Sequence, residues 1–292
     1  MKFHRVYIEL TNVCGLKCTF CPPKTLPSLI MPLDFFEAVL KELKPYTKEL
    51  AYHIVGDPLT LSDLERYLDL TCKHGFKVAL TTSGYLLGKK NLQTLLHPAI
   101  KQINISLNSY NKNSMPFSFE AYMKPIIELC TLKQSIDKEI FINLRVWNMD
   151  DTHSEKSFNT ALFAYLENAF GVALHVDDIE REKPKSLRLD EKIRLHFDRY
   201  FEWPSLESAH ASHGTCQGLH SHIGILSNGS VVPCCLDKDG IISLGDLHVS
   251  PLSHILNSPK ARAMRHGFTQ GLAVESLCQK CTYKERFRHE ML

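Results

Sequence analysis

The sequence predicts an α/β protein: an open (β/α)6 barrel, a partial relative of the eight-fold TIM-type barrel, followed by a small C-terminal module of a β-hairpin plus a helix. Three observations predict it. Apolar runs of strand length alternate with helically periodic segments over the first two thirds of the chain, the pattern of a parallel sheet with helical crossovers. That alternation stops near His210. Beyond it Asn228-Gly229 separates two short apolar runs, a strong hairpin signal, and cysteines gather around the pair.

The first strand is expected over His4 to Leu10. A helix follows from Pro32, with proline in the tolerated first position, to about Leu43. The second strand is Glu49 to Val55, and its helix opens at Ser62, with Glu65 three residues on as a capping box, and stops at Gly75. Strands three to six are expected at 76–81, 102–107, 140–147 and 173–177, with helices near 89–97, 118–134 and 155–169. Residues 1–185 thus form the barrel core, and 186–209 read as a bridging helix (Asp190 to Phe201) and linker. Residues 210–292 form the C-terminal module. It holds strands at 222–227 and 230–233, a turn at Gly245-Asp246-Leu247, and a helix begun at Ser250-Pro251 that Ser258-Pro259 restarts or kinks.

A chain of 292 residues with 44% hydrophobic content can bury a large core, and a net charge of +2 is too mild to argue for nucleic acid. No apolar run reaches membrane-spanning length, and Met1-Lys2-Phe3-His4-Arg5 leads straight into a strand, so neither a membrane segment nor a signal peptide is expected. The 10 cysteines fall in two clusters plus Cys72 and Cys130, which suggests metal ligation in a reducing cytoplasm rather than disulfides. Cys72 and Cys130 sit on helix faces and are expected in the core.

Chemistry is concentrated in Cys14-Gly15-Leu16-Lys17-Cys18-Thr19-Phe20-Cys21, a C-x3-C-x2-C run after the first strand. Three thiolates on one loop can hold three corners of a [4Fe–4S] cube and leave one iron open, as catalytic metal sites do. Zinc or disulfides are the plainer readings of the same cysteines. The octet resembles the signature of the radical S-adenosylmethionine (radical SAM) superfamily, with Phe20 placed to pack against the bound ligand. The resemblance implies SAM-binding residues at the later strand ends, where such barrels carry their chemistry. Gly56-Asp57-Pro58 is similar to the Gly-Glu-Pro motif that holds the SAM amino group, with Asp57 in place of Glu. Thr82 and Ser83, before Gly84, stand where relatives have Thr-Asn-Gly. Ser106 and Asn108 match the Ser-rich end that meets the SAM ribose or carboxylate. Asn143 and Arg145, two apart on one strand, face the same side, and Arg145 can fork onto the SAM carboxylate. Each of these also has a plain reading as a turn residue or a buried pair.

Cys216, Cys234, Cys278 and Cys281 supply a second set of four thiolates, enough to close a site completely. Zinc is again the plain alternative. This part resembles the twitch domain, the short form of the SPASM domain. With no cysteine after Cys281, one auxiliary [4Fe–4S] cluster is expected. Cys235 is either structural or a functional thiol that returns a hydrogen atom to a substrate radical, as in some radical SAM epimerases. The resemblance implies an iron–sulfur oxidoreductase, reduced by a flavodoxin or ferredoxin, that cleaves SAM to a 5′-deoxyadenosyl radical, abstracts a substrate hydrogen and passes an electron to the auxiliary cluster. A SPASM-type peptide modifier, epimerases included, and a non-enzymatic iron–sulfur or zinc protein are the alternatives. The barrel's early start argues against an N-terminal peptide-reading domain. The substrate is open between a small molecule and a peptide. Lys280, Lys284, Arg286 and Arg288 read as a solvated basic face.

Overall fold

The computed structural model describes every residue except 137, 150, 151, 153, 154, 201 and 292, and the side chains except also those at 288–291. The chain runs through β1 (Arg5–Ile8), α1 (Leu33–Leu43), β2 (Glu49–Tyr52), α2 (Leu64–Lys73), β3 (Lys77–Thr82), β4 (Ile100–Ser106), α3 (Asn108–Asn111), α4 (Phe119–Gln134) and β5 (Phe141–Val146). It continues through α5 (Lys156–Phe170), α6 (Val176–Glu182), β6 (Ser186–Asp190) and β7 (Ile193–Phe197). The C-terminal part holds β8 (His222–Ile225), β9 (Ser230–Val232), β10 (Gly245–Asp246), α7 (Leu252–Leu256), α8 (Pro259–Thr269) and α9 (Ser276–Gln279). The fold is α/β, the partial barrel with a C-terminal hairpin-and-helix module that the alternation predicts.

Two compact units make up the chain. Met1–Cys14, Cys21–Val78 and Phe201–Leu292 form the first, and Gly15–Phe20 and Ala79–Tyr200 the second. These units cut the chain elsewhere than at 185 and 209, and the sequence-based division stays a proposal about modules.

In the first unit the strand order is β10-β9-β8-β1-β2-β3. β1 is parallel to β2 on one side and to β8 on the other, with Arg5, Val6, Tyr7 and Ile8 opposite His222, Ile223, Gly224 and Ile225. Alternation explains this placement: Val6, Ile8 and Leu10 are fully buried on one face, while Arg5 and Tyr7 occupy the other. α1 buries Phe36, Val39, Leu40 and Leu43, spaced to line one helical stripe. Phe36 meets the rings of Tyr52 and Tyr67, and the Tyr67 hydroxyl donates to the Met31 carbonyl at 2.6 Å.

In the second unit the order is β3-β4-β5-β7-β6, with β4, β5 and β7 parallel and β6 antiparallel to β7. α4 begins at Ser118, whose hydroxyl accepts from the Ala121 N–H, and buries Met123, Ile126, Leu129 and Cys130. α5 buries Leu162, Phe163 and Leu166 and ends at Gly171 in the left-handed conformation that a helix C-terminus favours.

Four expectations are corrected. The sixth parallel strand is β7, not 173–177, where α6 instead opens at Val176 with Asp177 and Asp178 in its first turn, favourable for a helix N-terminus. The expected bridging helix is the β6–β7 hairpin: Ile193, Leu195 and Phe197 alternate with Arg194 and His196, a period of two masked by the charges around it. The helix near 89–97 is a pair of 3₁₀ turns, Leu87–Lys89 and Leu92–Leu96. Ser62 does not cap α2, whose N-cap is Asp63.

Candidate functional site

The C-terminal module is built around the hairpin. Asn228 and Gly229 make its turn: Gly229 has φ +90°, and a Cβ there would meet the His248 ring at 2.7 Å. The Asn228 side-chain oxygen accepts from the Ser230 N–H. β9 then leads through Pro233 to Cys234. Burial pushes the Cys234 thiol well up, and the neighbouring Cys235, Cys216 and Cys278 push it further. Cys278 is raised by burial and by Cys216 and Cys281. Cys216 is raised by burial and by Cys281, and Cys281 mainly by burial. The four predicted thiols are thus buried near one another and held protonated in the absence of a metal group. Such a donor set suits a multivalent cationic group that takes all four as thiolates. Among the described residues no three His, Cys, Asp or Glu side chains close to the distances of a single metal ion.

Lys284 is not part of the solvated basic face that the sequence suggests. It is 3% exposed, and its ammonium donates to the Cys278 and Gln279 carbonyls at 2.9 Å each. Lys280 donates to the Ser208 carbonyl, and the Arg286 guanidinium lies 4.8 Å from the Tyr283 ring centre. Arg288 lies outside the described side chains. No sequence period marks Lys284 as buried. Its only signal is its place three residues after the last cysteine, Cys281.

Glu9, which the sequence reading passed over, joins the hairpin to β1. Its N–H donates to the Ile225 carbonyl, and one carboxylate oxygen accepts from both the N–H and the hydroxyl of Ser227. The carboxyl is 2% exposed, and burial raises its pKa against the lowering effect of Ser227. On the same face of β1, Tyr7 packs with Leu26 and Cys235 against Ile54, Leu226 and Val232. Burial, then Cys235, push the Tyr7 hydroxyl up. Cys235 is thus half-buried beside a tyrosine.

The octet is divided between the units. Cys14 and Cys21, both exposed, belong to the first, and Gly15–Phe20 belong to the second. Within the second, Cys18 is buried, and its sulfur accepts from the Asn113 side-chain amide at 3.1 Å. Asn113 also accepts from the Lys17 N–H. Phe20 is half-buried. Three thiols within eight residues are, by their spacing, a donor set for a cluster that keeps one corner for a ligand.

Gly56 and Asp57 lie against the segment between β1 and the octet. Gly56 has φ +76°, and a Cβ there would stand 2.4 Å from the Thr11 carbonyl oxygen, so only glycine fits. Asp57 donates its N–H to the Val13 carbonyl, and its carboxylate caps the short 3₁₀ turn Pro58–Thr60 by accepting from the Leu59 N–H. The turn reading of this motif is realised.

The second unit gathers most of the other predicted residues. Asn104 lies opposite Asn143, and Ser106 opposite Arg145. The Asn143 amide donates to the Asn104 side-chain oxygen at 3.2 Å, and Asn104 donates to the Thr81 hydroxyl. Arg145 lies 4.0 Å from the Trp147 ring centre, and opposite it on β7 stands His196, whose pKa is lowered by burial and by Arg145. The Thr82 and Ser83 hydroxyls accept from the N–H groups of Gly84 and Tyr85. The Tyr122 hydroxyl donates to the Ser83 carbonyl at 2.7 Å and lies 3.4 Å from the Ser106 carbonyl. Asn108 is buried, and its oxygen accepts from the Trp147 N–H, pinning the ends of β4 and β5 together. Cys130 is buried as expected, whereas Cys72 is exposed on α2, a correction.

Comparison with known families agrees with this arrangement. The Radical SAM superfamily model matches residues 8–138, and the iron–sulfur cluster-binding domain SPASM matches residues 216–282. The chain thus carries a Radical SAM domain followed by a SPASM-type iron–sulfur domain, and these imply a SAM-binding [4Fe–4S] cluster, SAM and auxiliary iron–sulfur as cofactors. Among individual proteins, it is 23% identical to the antilisterial bacteriocin subtilosin biosynthesis protein AlbA of Bacillus subtilis (strain 168), over 97% of this chain and 66% of AlbA. It is 29% identical to the GTP 3′,8-cyclase of Aquifex aeolicus (strain VF5), over 47% of this chain and 45% of that one. The chain thus spans about half to two thirds of the length of these relatives. Its fold is similar to that of BtrN in complex with AdoMet and 2-DOIA, with TM-score 0.62 and 15% identity over 97% of this chain and 94% of BtrN. It is also similar to Streptococcus suis SuiB bound to precursor peptide SuiA, with TM-score 0.59 and 16% identity over 98% of this chain and 73% of SuiB. Among the described residues no helix is long and apolar enough to cross a membrane.

Proposed function

We propose that the protein is a radical SAM oxidoreductase that oxidises a small-molecule substrate at a carbon centre. The observation that carries this reading is the four-thiol set of Cys216, Cys234, Cys278 and Cys281, which leaves no corner for a substrate. The likeness in fold to BtrN, solved in complex with AdoMet and 2-DOIA, supports it. When bound, the two clusters and SAM supply reductive cleavage to a 5′-deoxyadenosyl radical and a seat for the electron left on the substrate after hydrogen abstraction. The chain's residues hold and shield this chemistry. Cys14, Cys18 and Cys21 hold the first cluster. Gly56 would let the backbone come close to the SAM amino group, with Asp57 and Pro58 fixing that turn. Thr82, Ser83, Ser106, Asn108, Asn143 and Arg145 are the residues that would hold the rest of SAM, with Phe20 beside it. A flavodoxin or ferredoxin in a reducing cytoplasm is the electron donor.

A second reading, modification of a peptide, has support of its own. AlbA matches across nearly the whole chain, and SuiB was solved with its precursor peptide. On this reading Cys235, beside Tyr7, returns a hydrogen atom to the substrate radical, an outside donor supplying the electron and proton that restore the thiol.

The test is anaerobic reconstitution with iron and sulfide, then dithionite and SAM, with 5′-deoxyadenosine as the readout. Formation that is lost in Cys18→Ala supports the radical SAM reading. No SAM cleavage by the iron-loaded wild type overturns it. In candidate substrates, solvent deuterium at carbon that disappears in Cys235→Ala favours the second reading over the first.

A further inference from the structure

We propose that Lys284 sets the reduction potential of the auxiliary cluster, holding it high enough to accept an electron from a substrate radical. This rests on the reading of Cys216, Cys234, Cys278 and Cys281 as that cluster's ligands. A buried lysine is costly unless its charge meets acceptors. Lys284 is 3% exposed, and its two 2.9 Å hydrogen bonds run to the backbone carbonyls of Cys278, one of the ligands, and Gln279, within the C-x2-C knuckle. Its stem packs on Gly214, where a Cβ would come within 3.0 Å of the Lys284 Cδ, so a larger residue at 214 would push the ammonium away.

Two acids near the knuckle, Asp237 and Glu275, have partners of their own. Asp237 accepts from the Ile241 and Ile242 N–H groups at 2.8 Å each, and Glu275 lies 3.7 Å from Lys260. Cluster potentials follow local charge and hydrogen bonding. Reduction adds a negative charge, and a fixed cation beside the ligands stabilises that state over the oxidised one. Lys284 is thus a positioning residue for electron transfer that acts through the cluster ligands and has no part in contacting substrate.

The experiment is a potentiometric EPR titration of reconstituted full-length protein, wild type against Lys284→Gln, Lys284→Met and Lys284→Arg, with iron counted in each. The expected result is an auxiliary potential shifted negative in Gln and Met and retained in Arg, with the SAM-cluster potential unmoved and iron content unchanged. A Gln variant with the wild-type potential overturns the proposal, since a neutral hydrogen-bond donor would then suffice. Loss of the auxiliary iron in Lys284→Gln also overturns it, making the residue a strut of the knuckle. A wild type that binds only one cluster would instead refute the auxiliary-ligand reading, so the two failures are distinguishable.

Discussion

His222 shows how far surroundings decide the behaviour of a single side chain. It sits on β8 with its ring edge-on to Tyr7, centroids 5.7 Å apart, and burial and Arg5 hold its pKa down to about 4. The folded protein therefore keeps the imidazole neutral where the unfolded chain, titrating near 6.5, takes up a proton. The stabilisation is fully present above about pH 6.5 and is lost as pH falls toward 4. Between pH 7.5 and 5 this one group accounts for a loss of about 2 kcal/mol of unfolding free energy. Denaturant titrations of the apo-protein at the two pH values should show the pH-dependent loss shrink by that amount in His222→Phe. An equal loss in both proteins would place the sensitivity elsewhere. The sequence shows four histidines near the second cysteine set and reads most of them as solvent-facing. His210, His213 and His220 are exposed, and only the strand pairing shows that His222 is not.

Among the elements, the join of β1 to the hairpin depends on Glu9. The pairing of β1 with β8 brings Glu9 to Ser227, 218 positions away, and both Ser227 donors converge on one carboxylate oxygen. Its other oxygen has no hydrogen-bond partner among the described residues. Hydrogen bonds to a buried charged group are worth about 1.5–3 kcal/mol. Glu9→Ala should therefore destabilise the apo-protein by about 2 kcal/mol and speed amide exchange at Ser227 and along β8 and β9. Glu9→Gln, whose amide oxygen still accepts both bonds, should restore most of the protection. Exchange that rises equally in all elements of Glu9→Ala would deny the local role. Strands and helices with a clear period were legible: α1, α4, α5 and the Asn228-Gly229 hairpin fall where the pattern puts them. The β6–β7 hairpin was not, because Arg188, Asp190, Glu191, Lys192 and Arg194 break up a short alternation and resemble the polar face of a helix.

At the scale of the whole molecule, the two predicted cluster sites draw on separate stretches of chain. Removing two auxiliary ligands should therefore leave the first cluster loaded. Cys278→Ala/Cys281→Ala should fall from about eight irons per chain to about four. It should still release 5′-deoxyadenosine from SAM while losing turnover of an oxidised substrate. Loss of all iron in that variant would show that the module is needed for the barrel to fold.

The sequence by itself pointed to the family, to the two cysteine sets and to the α/β alternation, because motif spacing and secondary-structure period are local properties of the chain. Tertiary structure alone decided which polar residues are engaged. Asp57 caps its own turn, Asn108 pins two strand ends, Lys284 is buried in the knuckle, and Glu9 holds the hairpin. The partners of Asn108 and Glu9 are brought in by strand pairing across tens to hundreds of residues, and the burial of Lys284 depends on how the knuckle packs. Spacing along the chain does not encode such contacts.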